Sequence, residues 1–237
     1  MVGGRDGERS RTSPNDSGRR MRNPDYLSLY LVLDPELCGG ERGMVETARL
    51  AVAGGASCVQ LRAPQWEKSR WLSCGRALKE LLAPLGVPLI VNDHADVCLA
   101  LDADGLHIGQ QDLPAAEARA LIGPHRLLGL SVSSEQEMRA VDASLVDYVG
   151  VGPVFATPTK VDAAPAMGWG GLARALAVKP CPAVAIGGIK LPMLPQIAAS
   201  GADGAAVVSA VCGQPDPRAA AAELRRCWDA ARQQPGT

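Results

Sequence analysis

The amino-acid sequence predicts an α/β protein, a single-domain (β/α)8 TIM barrel behind a disordered N-terminal tail. Three observations carry that expectation. From Ser28 onward, short apolar runs, often β-branched, alternate with longer Ala-, Leu- and Arg-rich segments. The runs are nearly continuous in apolar character, which fits strands buried on both faces. Eight strand-plus-helix pairs in about 205 residues match the size and order of a small barrel of this kind. An open doubly wound sheet is the alternative. It lacks an early G-x-G-x-x-G turn and would need a break in the rhythm that the sequence does not have.

In chain order, SLYLVLD (28–34) reads as strand 1, with a helix over 42–53. The AGGAS stop leads into SCVQLR (57–62) and a helix over 67–83. PLIVND (88–93) and GLHIG (105–109) follow, each with a helix, over 94–101 and 114–121. LLGLSV (127–132) precedes a helix over 134–143, and DYVGVGPV (147–154) a long loop and a helix over 171–178. AVAIGGI (183–189) leads to a helix over 191–199, and after ASGADG the strand GAAVVSA (204–210) leads to the last helix, 217–232. Glycine just past a helix end is a stop signal, which is why AGG and SG mark these borders. The barrel domain spans 26–232, with tails at 1–25 and 233–237.

Of the 237 residues 47% are hydrophobic, enough for one sizeable core. A net charge of −1 gives no bulk attraction to nucleic acid or to acidic membranes, so any phosphate binding must be local. No apolar run is long enough to span a bilayer. Residues 1–25 are polar and rich in Gly, Arg and Ser; they cannot bury enough surface to offset their ordering entropy. They have no apolar signal region, and Met21 stands near their end as an alternative start. The seven cysteines are scattered without a C-x-x-C pair, as in a protein of reduced thiols. Missing export signals and free thiols together suggest the cytoplasm.

In a barrel of this type the chemistry sits where the strands end. Gln60 and Arg62 alternate onto one face after strand 2, and an Arg there can hold a phosphate bidentately. Asn92 and Asp93 end strand 3, and Gln110, Gln111 and Asp112 follow strand 4. Each aspartate alone reads as a helix N-cap; both at the ends of adjacent strands suit Mg²⁺, which takes one or two carboxylates and completes its shell with substrate phosphates. Ser131 ends strand 5. His107 alternates inward on strand 4, as a mouth-lining or a structural residue. The loop PVFATPTK carries Thr157, Thr159 and Lys160 and runs to about Gly170, longer than typical βα connections. Gly187-Gly188 after strand 7 and Val208-Ser209 after strand 8 stand where such barrels bind a monophosphate through backbone N–H groups. The face thus has a diphosphate–metal side and a monophosphate side, with Lys160 between them. No nucleophile–base triad stands out.

This set of motifs closely resembles the thiamine phosphate synthase family: VQLR, VND with GLHIGQQD, the serine after LLGL, GPVFATPTK, AIGGI and GADGAAVVSA, in that order, between about Leu29 and Trp228. The resemblance implies transfer of the pyrimidinylmethyl group from 4-amino-2-methyl-5-hydroxymethylpyrimidine diphosphate to a thiazole phosphate (carboxythiazole or hydroxyethylthiazole phosphate), giving thiamine monophosphate and diphosphate, with CO2 also released when the acceptor is the carboxythiazole. It implies that Gln60, Arg62 and Asn92 bind the pyrimidine diphosphate and that Asp93 and Asp112 hold Mg²⁺. Ser131 and Lys160 would address the leaving diphosphate, with Arg62, as catalytic groups. Thr157 and Thr159 would meet the thiazole, and Gly188, Val208 and Ser209 its phosphate. The implied chemistry is dissociative and needs no protein nucleophile, only charge neutralisation on the leaving group. The implied partners are these two small molecules, with no nucleic acid and no membrane; a homo-oligomer is left open.

The chain departs from the family's pattern at Pro64, where a lysine is usual. Lys68 is the nearest replacement, unless a helix starting at Glu67 points it elsewhere. A thiazole tautomerase on a related barrel and a non-catalytic binder of thiamine precursors are the rival readings. The first has no use for Asn92, Asp93, Asp112 and Lys160.

Overall fold

The structure, a computed structural model, describes residues 24–157 and 164–233. Eight parallel strands close into a barrel in chain order. They are β1 (Leu29–Leu33), β2 (Cys58–Leu61), β3 (Leu89–Asn92), β4 (Gly105–Ile108), β5 (Leu127–Val132), β6 (Tyr148–Val151), β7 (Ala183–Ile186) and β8 (Gly204–Val207). β1 pairs with both β2 and β8, which shuts the ring. This is the fold class that the sequence predicts. The helices are α1 (Pro35–Cys38), α2 (Glu41–Ala53), α3 (Lys68–Leu82), α4 (Ala95–Ala100), α5 (Ala115–Ile122), α6 (Glu135–Arg139), α7 (Gly168–Ala177), α8 (Leu194–Ala199) and α9 (Pro217–Gln233). None of the described helices is long and apolar enough to cross a membrane.

The strands separate two apolar layers by their alternation. Leu29, Leu31, Leu33, Val59, Leu61, Val91, Leu106, Ile108, Val149 and Val151 face outward into the layer shared with the helices, where Trp71 and Trp228 are also buried. Tyr30, Val32, Cys58, Ile90, Leu127, Tyr148, Val184 and Ala206 form the separate interior cluster. The same parity carries the interior wall upward through Gln60, Asn92, His107, Ser131, Gly150, Ile186 and Val208 toward the strand ends.

A repeated contact closes the opposite end of the barrel. The residue just before each even-numbered strand accepts a backbone N–H from the strand before it. Ser57 accepts from Leu29, Asp104 from Leu89, Asp147 from Leu128 and Asp203 from Ala183. Each of the three aspartates also pairs with a cation: Lys79 with Asp104, Arg119 with Asp147 and Lys179 with Asp203. These contacts pin strand starts without using the catalytic end of the fold.

Several element borders differ from the sequence-based expectation. α1 is an additional helix, capped by Asp34, whose carboxylate accepts from the Glu36 and Leu37 N–H groups, with Pro35 at its first position. The expected helix 134–143 stops at Arg139, and Asp142 then takes the Ser144 N–H at 2.8 Å, a local turn that competes with helix. The expected helix 191–199 is a 3-10 turn over Leu191–Met193 followed by α8; Pro192 and Pro195 have no N–H to share with a continuous helix. β6 ends at Val151, before Gly152-Pro153. Pro24–Leu27 form a 3-10 turn that leads into β1, and residues 1–23 and 234–237 lie outside the described residues.

Candidate active site

The mouth of the barrel is built from the strand ends outward. Gln60, 4% exposed, points into the interior and donates its Nε2 hydrogen to the Tyr30 hydroxyl at 2.9 Å. Arg62 stands one step past β2 and is partly exposed. Among the described residues its guanidinium enters no hydrogen bond or ion pair, so a structural salt bridge does not account for it.

Asn92 is the last residue of β3 and is paired in register with His107 on β4. Its side-chain amide donates to Asp93 Oδ2. The Asp93 N–H donates to the His107 carbonyl at 2.8 Å, which ties the end of β3 to β4. Asp93 has a φ of 62°, a left-handed conformation that non-glycine residues rarely adopt. Such a residue persists only where its surroundings hold it there, and this one stands at a strand end in the barrel mouth. Asp112 Oδ2 accepts the Gly109 N–H at 2.7 Å and so folds back toward the end of β4. Neither aspartate is a helix cap: His94 occupies that place for α4 and Pro114 for α5. Gln110 donates to the Ser131 carbonyl at 2.7 Å, drawing the β4 loop onto the end of β5. Two oriented carboxylates and a neighbouring amide oxygen are hard donors of the kind Mg²⁺ takes. Among the described residues no group of three or more His, Cys, Asp and Glu side chains could hold a metal ion. A cation bound through Asp93 and Asp112 would therefore draw its remaining oxygens from substrate or water.

The other half of the mouth is formed by the loops after β6, β7 and β8. The loop after β6 lies directly on the two glycines after β7. The Val154 N–H donates to the Ile186 carbonyl at 2.9 Å and the Phe155 N–H to Gly187 at 3.1 Å. Gly188 has a φ of 65°, and a Cβ there would stand 2.8 Å from Phe155 Cβ and 2.9 Å from the Ala156 oxygen. Only glycine permits that approach. It brings Thr157 beside the expected monophosphate side. Phe155 in turn is held edge-on by Trp169, with ring centroids 4.9 Å apart. Thr159 and Lys160 lie outside the described residues.

Ser209 follows Val208 two residues past β8, and Lys190 Nζ donates to its Oγ at 2.9 Å. The sequence pattern does not single out this cation, although Lys190 is only two residues past Gly188 in GGIK. Gln214 donates to the Ser209 carbonyl at 2.8 Å and steadies the turn. Behind it, Cys38 at the end of α1 meets Cys212. Cys212 beside the Cys38 sulfur, with Thr47, brings its pKa down to about 7, against the upward push of burial. All seven cysteines are free.

Pro64 is exposed in a turn closed by the Trp66 N–H on the Ala63 carbonyl at 2.9 Å. Lys68 opens α3 and pairs with Asp96 in the first turn of α4. Its ammonium is thus turned to a surface carboxylate and does not replace the lysine expected at position 64. The sequence reading also left His107 between two roles. Its imidazole spans from Tyr148 to Ser131, at 3.1 Å and 3.0 Å.

Residues 29–211 match the family model described as thiamine monophosphate synthase. The thiamine-phosphate synthase of Laribacter hongkongensis is 53% identical over 84% of this chain and 94% of its own. That of Xanthobacter autotrophicus is 50% identical over 90% of this chain and 100% of its own. The solved structure of thiamine phosphate pyrophosphorylase from Pyrococcus furiosus superposes with a TM-score of 0.79 at 34% identity, covering 89% of this chain and 98% of that one. With a matching closed barrel and most of its length aligned to these proteins, the chain belongs to the thiamine monophosphate synthase family of enzymes.

Proposed function

We propose that this enzyme transfers the (4-amino-2-methylpyrimidin-5-yl)methyl group of 4-amino-2-methyl-5-hydroxymethylpyrimidine diphosphate to the nitrogen of a thiazole phosphate, releasing diphosphate and forming thiamine monophosphate. The observation that carries this reading is the split mouth. One side has Arg62, uncommitted among the described residues, past β2, with Asp93 and Asp112 past the neighbouring β3 and β4; the other has Gly188 past β7 and Ser209 past β8, with Lys190 bonded to Ser209. Two anionic substrates need two such sides.

Gln60, Asn92 and Arg62 hold the pyrimidine diphosphate, and Ser131 offers its hydroxyl to the leaving group. Thr157 meets the thiazole, whose phosphate lies against the Gly188 and Ser209 backbone, near Val208. Thr159 and Lys160 belong to the same loop as Thr157 and take the roles that the family resemblance gives them. Asp93 and Asp112 are the ligands for Mg²⁺, which supplies charge neutralisation to the diphosphate when bound. The reaction needs no protein nucleophile. The C–O bond to diphosphate breaks first, the ring amino group stabilises the resulting cation, and the thiazole nitrogen closes the new C–N bond. The chain's task is to bind, orient and neutralise charge as it develops.

Asp93→Asn tests the metal assignment. It should cut Mg²⁺-dependent diphosphate release and raise the Mg²⁺ concentration needed for half-maximal rate; full activity at unchanged Mg²⁺ demand would remove Asp93 from the site. Isomerisation of a thiazole phosphate with no pyrimidine substrate present would favour the tautomerase reading instead.

A further inference from the structure

Five side chains form one hydrogen-bonded line through the barrel interior. Gln60 Nε2 donates to the Tyr30 hydroxyl at 2.9 Å, the Tyr30 and Tyr148 hydroxyls share a bond at 2.9 Å, Tyr148 meets His107 Nδ1 at 3.1 Å, and His107 Nε2 meets Ser131 Oγ at 3.0 Å. Tyr30 is 2% exposed, Tyr148 0% and His107 9%, so solvent hardly competes for the bonds among these three, while Ser131 at the mouth end is half-buried.

The line can run in either of two proton orders. Burial pushes both phenols well above their ordinary pKa, so each keeps its proton. In one of the two orders the Tyr30 oxygen accepts from Gln60 and Tyr30 gives its own proton to Tyr148. Tyr148 then gives its proton to His107 Nδ1. A neutral imidazole that accepts at Nδ1 carries its hydrogen on Nε2. That hydrogen goes to Ser131 Oγ, and the serine's own proton is left facing the mouth. Were the order reversed, Ser131 would spend its proton on His107 and turn lone pairs toward an anion.

Two glycines make room for the line. A Cβ at Gly129 would lie 2.4 Å from His107 Nδ1 and 2.3 Å from Tyr148 Cζ, and one at Gly150 would lie 3.2 Å from His107 Cε1. β5 and β6 therefore leave a slot that the two rings fill.

We infer that His107 is a positioning residue: Tyr148 holds it as the neutral Nε2–H tautomer, and it fixes the Ser131 hydroxyl as a hydrogen-bond donor to the departing diphosphate. This rests on the reading of Ser131 as a contact of the leaving group.

The chain has only three histidines, His94, His107 and His125, so ¹⁵N imidazole spectra of the full-length protein resolve the tautomer directly. His94→Gln and His125→Gln variants assign the signals. The expected result is a neutral His107 with its proton on Nε2, without substrate present. An Nδ1–H tautomer or an imidazolium at neutral pH would overturn the inference. Tyr148→Phe removes the proton donated to Nδ1. It should yield mixed tautomers and lower kcat about tenfold, with KM for the pyrimidine diphosphate little changed. Unchanged tautomer and kcat would also overturn it, and if that variant does not fold, the wild-type spectrum decides alone. The spectrum needs no turnover. An Nε2–H signal in a protein that releases no diphosphate would mean that the transferase reading has failed, whereas an Nδ1–H signal in an active enzyme would refute only the role given to His107.

Discussion

Gly129→Ala puts one methyl group into the space where the His107 and Tyr148 rings meet. The new carbon would start 2.3 Å from Tyr148 Cζ, 2.4 Å from His107 Nδ1 and 2.5 Å from the Tyr148 oxygen. Carbon contacts are optimal near 3.5–4.0 Å, so the rings must retreat by about 1 Å or more. Both are buried, and the bond between them is already 3.1 Å long. Overpacking of this kind costs about 1–3 kcal/mol, and a buried donor or acceptor left without its partner about 1–3 kcal/mol more. The sum, about 2–6 kcal/mol, is a large part of the 5–15 kcal/mol that typically holds a domain together. Gly150→Ala is the internal comparison. Its methyl would meet His107 Cε1 at 3.2 Å and Nε2 at 3.6 Å, a contact that a small ring shift relieves. Urea denaturation followed by tryptophan fluorescence should rank Gly129→Ala well below Gly150→Ala in stability, and wild type above both. A Gly129→Ala protein within about 1 kcal/mol of wild type would refute the reasoning, because the slot would not then be filled as described.

Pro64→Lys restores a cation beside the leaving group and should raise kcat about ten- to a hundredfold, the worth of one charged contact; steady-state kinetics showing no gain would mean that other groups already carry the charge. Lys190→Met should raise KM for the thiazole phosphate roughly tenfold while kcat holds, and an unchanged KM would remove Lys190 from the phosphate side. Cys38 is a thiolate above a pKa of about 7, so its alkylation should speed up as pH rises through that value and slow below it. Cys212→Ala removes the largest influence lowering that pKa and should move the midpoint upward, toward the ordinary thiol value near 8.5.

The barrel was legible because its strands are buried on both faces, which writes each as a short continuous apolar run between helical segments. The strand-end positions of Asn92, Asp93 and Asp112 were legible for a related reason: once the strands are located, the residues just past them stand at the mouth end of the barrel. The interior line was not. Tyr30 and Tyr148 read as ordinary apolar strand residues, and their hydroxyls meet only because β1 and β6 face each other across a closed ring, 118 positions apart in sequence. Gly129 and Gly150 carry no visible signal until the rings they admit are placed. Lys190 lay just past the glycines that drew attention, and its link to Ser209 crosses from one strand-end loop to the next. Lys68 shows the converse. By position alone it could have replaced the absent lysine at 64, but Asp96 on the neighbouring helix holds it.

The most direct measurement is product stoichiometry. Purified enzyme, given the pyrimidine diphosphate, a thiazole phosphate and Mg²⁺, should form thiamine monophosphate and diphosphate in equal amounts, with neither appearing at a comparable rate when the Mg²⁺ is chelated. Diphosphate release with no thiamine monophosphate formed, or a thiazole isomer as the main product, would contradict the account of a two-sided transferase site.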